Sequence, residues 1–239
     1  MKIDVLNWDS NFFDLKIGKT EVSKKNDFDF LHIAKNNGFD LIYLFGKDLV
    51  VPKDVLSFYN GKKVDSKIVF NYGCEDSKVE ESPIDILEYK SDFASKELIS
   101  LGIQSGEYSR FRIDANFDKG LFEALYHRWI LNSVNKKFAD YIFVKEKNKK
   151  VIGFVTFKID HSKNSGTIGL IAVDEVYRGM KIGKKLIDKI KAISHQHGLK
   201  EINVATQKDN LGACNFYKKY GFKIKSRTDI YHFWLKENT

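Results

Sequence analysis

The segment that most constrains this chain runs from residue 166 to residue 198. The run GTIGLIAV predicts a buried strand over residues 166–173, and the glycine-containing, lysine-rich stretch DEVYRGMKIGKKLIDKI follows it directly. In that stretch apolar residues recur at i, i+4, i+8 and i+11, which places them on one helix face: Ile182, Leu186, Ile190 and Ile193. The sequence therefore predicts a strand, a turn, and a helix that begins near Gly179 and ends near Gly198.

The turn before this helix has two interpretations. The first turn of a helix carries free backbone N–H groups and the positive end of the helix dipole, a geometry that binds phosphate. Gly179 and Gly183 would let such a ligand approach the backbone closely, because glycine has no side chain. The alternative is a loop glycine and a packing glycine ahead of an ordinary amphipathic helix. The downstream sequence favours the phosphate site.

The charge of the chain indicates anionic small ligands rather than nucleic acid. The 239 residues carry a formal net charge of +8, and the excess is lysine spread along the chain. Arginine supplies the forked donors that read bases and phosphates, and the chain has five of them: Arg110, Arg112, Arg128, Arg178 and Arg227. We therefore expect no nucleic-acid partner and a surface that attracts phosphorylated small ligands.

Neither a membrane nor a metal partner is expected. No stretch approaches the length of a membrane span, and the N-terminus MKIDVLNWDS lacks an apolar signal core, so we expect a cytoplasmic protein. Cys74 and Cys214 form neither a disulfide framework nor a metal-ligand cluster. His195 and His197 lie two residues apart and do not share a helix face, so they predict no metal site.

The order of the predicted elements indicates an α/β fold with a mixed sheet, in two domains. Strands and helices alternate over residues 16–72, and the acidic, polar segment 73–83 is the best candidate for a linker. We predict a smaller N-terminal α/β domain over residues 1–80 and a second domain over residues 81–239. The second domain is predicted to contain a helix over 119–135 and strands over 140–146, 150–157 and 166–173.

A strand, a capped helix and a closing strand follow the lysine-rich helix. KEINVATQ predicts a strand over 200–207, and NLGACNFYKKYGF predicts a helix over 210–222 with Asn210 as its N-cap. This succession resembles the GNAT family of acyl-CoA-dependent N-acyltransferases, whose turn pattern is R/Q-x-x-G-x-G/A. Here the turn reads RGMKIG over residues 178–183, with Lys181 in the place of the family's first glycine. The resemblance implies the GNAT acyltransferase fold for residues 81–239.

Several short segments resemble a narrower group of GNAT enzymes. LNWDSNFFDLKIG, residues 6–18, is similar to the N-terminal WDSxFF signature of TDP-fucosamine acetyltransferases. These enzymes carry an extra N-terminal domain and acetylate a nucleotide-linked amino sugar. Further similar segments are residues 62–70, 105–114, 125–133 and 204–210. The resemblance implies acetyl-CoA as the donor, a dTDP-linked amino-dideoxy sugar as the acceptor, and a homodimer.

The resemblance also implies the site. The acceptor amine would attack the acyl-CoA thioester directly, without a covalent enzyme intermediate. The pantetheine arm would pair with the backbone of Ile171, Ala172 and Val173, and Asn210 would offer its amide to CoA besides capping its helix. The diphosphate would lie on the backbone of the turn and the first helical turn: Arg178, Gly179, Met180, Lys181, Ile182, Gly183 and Lys184. The charges of Arg178 and Lys181 would lie near it.

Tyr217 has two interpretations. By its place in the resemblance it is the general acid that protonates the departing CoA thiolate, a role that a phenol can fill if its hydroxyl reaches the sulfur. By periodicity alone it is a core tyrosine on the apolar face of its helix, flanked by Phe216 and Tyr220. With the resemblance included, we predict the catalytic role.

The segment EYSRFR predicts a contact with the acceptor. It interleaves Tyr108 and Phe111 with Arg110, and an arginine near a diphosphate with an aromatic ring near a base would suit a nucleotide sugar. An amphipathic strand or loop held by ordinary ion pairs is the alternative. The sequence singles out no general base, the group that would take a proton from the acceptor amine. A water relay would make a dedicated residue unnecessary. The candidates for the role are Glu107, Asp114 and Asp174.

The sequence therefore predicts an N-acyltransferase that moves an acetyl group from acetyl-CoA to the amine of a dTDP-linked amino sugar, for surface-polysaccharide assembly. Two alternatives stay open. One is the same chemistry on a protein N-terminus or another small amine, and the other is a non-catalytic acyl-CoA-binding module. The sequence leaves open the choice between dTDP and UDP, the position of the sugar amine and the length of the acyl group.

Overall fold

The structure, a computed structural model, describes residues 2–22, 28–74 and 82–236. The strands of the described chain are β1 (Asp4–Val5), β2 (Ile17–Val22), β3 (Leu41–Gly46), β4 (Gly61–Gly73), β5 (Leu87–Glu88), β6 (Tyr141–Lys147), β7 (Lys150–Asp160), β8 (Ser165–Val173), β9 (Glu201–Gln207) and β10 (Lys223–Trp234). The α-helices are α1 (Asn7–Phe13), α2 (Asp29–Asn36), α3 (Lys53–Phe58), α4 (Lys96–Ser105), α5 (Arg110–Ile113), α6 (Lys119–Val134), α7 (Ile182–Gln196) and α8 (Leu211–Lys219). The α/β fold with a mixed sheet is confirmed.

The chain divides into two compact units. The first comprises the described residues of Met1–Ile68, Gln207–Asp209 and Ser226–Thr239, and the second those of Val69–Thr206 and Asn210–Lys225. The domain boundary predicted near residue 80 falls in the segment 75–81, outside the described residues, and stays a prediction. The compact division differs from the predicted one chiefly because it assigns the end of β10 to the first unit.

The first unit is built on a mixed sheet covered by α2. Strand β2 pairs antiparallel with β1 and parallel with β3, and β3 pairs antiparallel with β10. Phe30 and Leu31 of α2 are buried against Ile42 and Phe233, whose side chains alternate with those on the opposite face of the sheet. The parallel pair requires a crossover, which is the physical reason for a helix between β2 and β3.

The second unit contains an antiparallel meander that ends in one parallel pair. Strands β5, β6, β7 and β8 pair antiparallel in sequence order, and β8 pairs parallel with β9. Asn148 and Lys149 join β6 to β7 with φ values of 51° and 62°, as the two central residues of a tight hairpin turn require. Strand β5 is short, because only Leu87 and Glu88 form a ladder with β6.

Helix α7 follows β8 and supplies the crossover to β9. Ile182, Leu186 and Ile190 are buried, as the predicted face requires. The helix begins at Ile182 rather than near Gly179, because Gly179 and Lys181 adopt φ values of 81° and 61°, which no right-handed helix contains. No α-helix in the described ranges is long and apolar enough to cross a membrane.

Candidate active site

Strands β8 and β9 separate part of the way along their length. Their parallel ladder runs from Ser165, opposite Glu201, to Ile168, opposite Val204, whereas β8 continues to Val173. The Leu170 N–H donates to Thr156 Oγ1 at 2.8 Å and the Asp174 N–H to the Ile152 carbonyl at 3.0 Å, so these residues face β7.

Alternate residues of a strand direct their backbone groups to opposite edges. Ile171 and Val173 therefore present their backbone groups toward the β9 side, beyond the point where the ladder to β9 ends. Ala172 lies two residues from Leu170 and from Asp174, so by the same alternation its backbone faces β7. The Val173 carbonyl accepts from Gln104 Nε2 at 3.1 Å and from Arg178 Nε at 3.3 Å, which occupies both of its lone pairs. Ile171 and the Val173 N–H are the backbone groups left to pair with a ligand.

A cavity of about 380 Å³ opens at this separation. Its volume falls in the range of small-molecule sites. Its walls come from the end of α4, the end of β8, the turn before α7, and α8: Gln104, Ser105, Glu107, Tyr108, Ile171, Ala172, Val173, Arg178, Gly183, Asn210, Gly212, Ala213, Phe216 and Tyr217. The cavity therefore brings together predicted site residues from four separate elements.

The turn before α7 leaves backbone N–H groups without helical partners. The first backbone hydrogen bond into the helix runs from the Lys185 N–H to the Lys181 carbonyl, so the N–H groups of Ile182 and Gly183 have no partner within the helix. The Lys181 side chain makes no capping hydrogen bond, since an ammonium cannot accept one. An anion would satisfy these N–H groups.

Gly183 fits both interpretations of the turn, as a packing glycine and as a glycine that leaves room for a ligand. A Cβ atom at this position would lie 3.0 Å from Phe216 Cε2, so the glycine lets α7 pack closely against α8. It also lines the cavity, where the missing side chain leaves the helix terminus open. The remaining predicted residues of the turn, Gly179, Met180 and Lys181, are exposed and are not among the residues that line the cavity. Lys184 does not line it either, and its ammonium pairs with Asp188 at 2.6 Å.

Helix α8 positions Tyr217. The predicted cap is confirmed, because Asn210 Oδ1 accepts from the Ala213 N–H at 3.0 Å. Tyr217 is 3% exposed and contacts the rings of Phe70 and Phe222 at centroid distances of 5.6 Å, yet it also lines the cavity. Burial, and to a smaller degree the Cys214 thiol, raises the pKa of Tyr217 above its ordinary value. The phenol is therefore protonated at neutral pH and able to donate a proton.

The segment EYSRFR divides between the cavity and its surroundings. Tyr108 lines the cavity and is 38% exposed. Arg110 and Phe111 are not among the lining residues: the Arg110 guanidinium lies 4.6 Å from the Phe111 ring centroid, and Phe111 packs edge-on against Phe117. The segment is neither strand nor plain loop, because Ser109 caps the short helix α5 by accepting from the Phe111 N–H.

Sequence reasoning missed several lining residues: Gln104, Ser105, Gly212, Ala213 and Phe216. The Gln104 amide reaches the Val173 carbonyl across 69 positions of the chain, and no local pattern signals so distant a contact. Among the described residues, no group of three or more His, Cys, Asp or Glu side chains is arranged to hold a metal ion.

Comparison with known proteins agrees with the geometry. The profile of the Acetyltransferase (GNAT) family matches residues 106–222. An uncharacterised N-acetyltransferase of Methanocaldococcus jannaschii is 30% identical over 132 residues, which are 53% of this chain and 57% of that protein. N-alpha-acetyltransferase 30 of Schizosaccharomyces pombe is 28% identical over 113 residues, 46% of this chain and 74% of that protein.

This chain thus spans little more than half of the archaeal relative's length. Among solved structures, a GCN5-related N-acetyltransferase from Sphaerobacter thermophilus superposes with a TM-score of 0.54 at 14% identity. The superposition covers 99% of this chain and 77% of the other, and at this identity it speaks for the fold alone. The similarity to the GNAT acetyltransferase family therefore extends over residues 106–222, which include most of the residues that line the cavity.

Proposed function

We propose that this protein is an N-acetyltransferase that takes acetyl-CoA into the cavity between β8 and β9 and transfers the acetyl group to a primary amine. One observation carries the proposal. The ladder between the two strands ends at Ile168, and the cavity that opens there is lined by the strand end, by Gly183 of the helix terminus and by Tyr217. The family resemblance gives these three features to the pantetheine arm, the diphosphate and the departing thiolate of the donor, respectively.

The backbone of the site suits the donor in two places. The N–H groups of Ile182 and Gly183 at the start of α7 offer hydrogen bonds and a positive dipole end to the diphosphate. Ile171 and the Val173 N–H offer a strand edge to the amides of the pantetheine arm. Gln104 and Arg178 both donate to the Val173 carbonyl, so they hold the strand end in place rather than binding the donor through that oxygen.

Tyr217 is the proposed general acid. When the amine nitrogen forms a bond to the thioester carbon, the carbon–sulfur bond breaks and the departing sulfur needs a proton. The Tyr217 phenol retains its proton at neutral pH because burial disfavours the phenolate, and it lines the same cavity as the strand end. Burial among rings also fits a core tyrosine, and it favours the protonated form that a general acid requires.

The acceptor is proposed to be the amine of a dTDP-linked amino-dideoxy sugar. The support is the resemblance of residues 6–18 and of the segments 62–70, 105–114, 125–133 and 204–210 to TDP-fucosamine acetyltransferases. A protein N-terminus is the second candidate, because N-alpha-acetyltransferase 30 is among the relatives. The homodimer is implied by the same resemblance, and both it and the cytoplasmic location stay predictions.

Two assays test the function. Acetyl-CoA at about one hundred times its dissociation constant should stabilise the native state by about 2.7 kcal/mol and raise the melting temperature by several degrees. Release of free thiol is then followed with dTDP- and UDP-linked amino sugars and with peptides that carry a free N-terminus. Turnover with an amino sugar alone supports the first acceptor and turnover with peptides alone the second, whereas an unchanged melting temperature contradicts the proposal.

A further inference from the structure

Three helix ends meet the cavity of the second unit. Helices α7 and α8 both direct their N-termini to it, since Gly183, Gly212 and Ala213 from their first turns line the wall. Helix α4 meets the cavity with its C-terminus, through Gln104 and Ser105. Helix N-termini carry positive partial charge and helix C-termini negative partial charge. The part of the wall that α4 supplies therefore carries the negative partial charge.

Glu107 lies beside the C-terminus of α4. It follows the C-cap of α4 directly, and its N–H donates to the Gln104 carbonyl at 3.2 Å. The preceding residue cannot move freely, because a Cβ atom at Gly106 would lie 2.4 Å from Tyr126 Cζ, and the Gly106 carbonyl accepts from the Ser109 N–H at 2.8 Å. The backbone that carries Glu107 is therefore fixed against α6, whereas its side chain is exposed at the cavity.

The other two carboxylates that the sequence suggested are engaged elsewhere. Asp114 is 1% exposed, and its Oδ1 accepts from the backbone N–H and the side-chain amide of Asn116. Asp174 caps the 3-10 turn Glu175–Tyr177 by accepting from the Val176 N–H at 3.0 Å. Of the described residues that line the cavity, Glu107 is the acidic one, and the other titratable side chains there are Tyr108, Arg178 and Tyr217.

We infer that Glu107 is a catalytic residue, which binds the acceptor as an ammonium and takes a proton from it. The inference rests on the proposed function. The Glu107 carboxylate accepts one proton from the ammonium and passes it to solvent, which leaves a neutral amine with a free electron pair. That pair forms the carbon–nitrogen bond as the carbon–sulfur bond breaks. Tyr217 gives its phenolic proton to the sulfur and recovers the proton that the nitrogen loses on becoming an amide. The sum is an amide, a free thiol and one released proton.

This assignment predicts the class of acceptor that the site selects. An amine that is an ammonium at neutral pH is attracted by the carboxylate and by the dipole end of α4 together. A hydroxyl or a neutral amide in the same position gains neither attraction and has no proton for the carboxylate to remove. The site should therefore acetylate the amino form of a substrate and not its hydroxyl analogue.

The test compares Glu107→Gln with Glu107→Asp and with Glu123→Gln, an exposed glutamate on α6 that serves as the matched control. Thiol release is measured against pH with the best acceptor from the panel, and acetyl-CoA affinity is measured separately. We expect Glu107→Gln to lower kcat by about 100-fold or more, the usual contribution of a general base. Its activity should recover with rising pH, because the neutral amine then forms without the carboxylate. Glu107→Asp should retain part of the rate, and Glu123→Gln all of it.

The outcomes separate this inference from the proposed function. Wild-type turnover together with an unchanged kcat in Glu107→Gln overturns the inference alone, and so does a higher KM with an unchanged kcat and pH profile. A wild-type protein that releases no thiol with any amine overturns the proposed function, and this inference with it. Retained acetyl-CoA affinity in Glu107→Gln shows that the variant is folded, so that a lost rate supports the inference.

Discussion

Lys181 adopts a left-handed backbone conformation that glycine adopts at a lower free-energy cost. This conformation supports a prediction about the stability of the folded protein. Its φ of 61° and ψ of 13° are left-handed, at the residue that precedes α7. A side chain in this conformation costs roughly 1–2 kcal/mol. Glycine avoids that cost but gives up about 0.4–1 kcal/mol because its unfolded chain is more flexible. Lys181→Gly should therefore be more stable than Lys181→Ala by about 0.5–1 kcal/mol.

The comparison of these two variants isolates the backbone, since both remove the same ammonium. Thermal and urea unfolding measure the difference, and for a chain of this length 1 kcal/mol corresponds to about 2–4 °C in melting temperature. Equal stability, or a more stable Lys181→Ala, would show that residue 181 does not hold the left-handed conformation in solution. The proposed geometry of the turn would then be wrong.

The same two variants test the charge of Lys181. If the ammonium attracts the donor's diphosphate from an exposed position, both variants should lose the same acetyl-CoA affinity. The expected loss is up to about 1 kcal/mol, or roughly fivefold, and it should shrink at high salt. Tighter binding by Lys181→Gly than by the wild type would mean that the side chain obstructs the turn more than its charge helps.

Three further predictions concern other parts of the second unit. Tyr217→Phe should reduce thiol release by about 100-fold or more at unchanged acetyl-CoA affinity, because only the proton donor is lost, and equal turnover would remove the phenol from the mechanism. Gly102→Ala should destabilise the protein by about 1–3 kcal/mol in urea unfolding, since the new Cβ would lie 2.3 Å from Ile130 Cγ1; an unchanged midpoint would contradict that packing. Asp85 pairs with Lys185 at 2.6 Å and with Lys145 at 2.9 Å, and these contacts lower its pKa to about 2. A depressed folded-state pKa adds stability that is present above pH ~4 and is lost as pH falls toward 2. Asp85→Asn should therefore lower the free energy of unfolding by about 1 kcal/mol at pH 7, after allowing for solvent screening. Near pH 2 the stability of the variant should approach that of the wild type.

The local patterns of the sequence predicted much of the second unit. The spacing of Ile182, Leu186 and Ile190 fixed the buried face of α7, because a helix repeats every 3.6 residues whatever surrounds it. Asn210 predicted the start of α8 through its capping oxygen, a contact that spans three residues. Features of this kind are decided within one or two turns of chain.

Long-range features of the site could not be predicted from the residues. The end of the ladder at Ile168 depends on how β8 pairs with β7 and β9 at once, and the register of β7 and β8 shifts between Val155 and Phe157. The bond from Gln104 to Val173 depends on where α4 packs. EYSRFR was predicted as a unit facing the acceptor, but the cap at Ser109 starts a helix that carries Arg110 and Phe111 away from the cavity.

Backbone amide exchange with and without acetyl-CoA tests the central claim most directly. If the donor lies across the end of β8 and its diphosphate lies on the start of α7, protection should appear at the N–H groups of Ile171, Val173, Ile182 and Gly183. The same groups should show no comparable change when the free amine acceptor is added alone. Protection that appears elsewhere in the chain while these amides exchange unchanged would contradict the account.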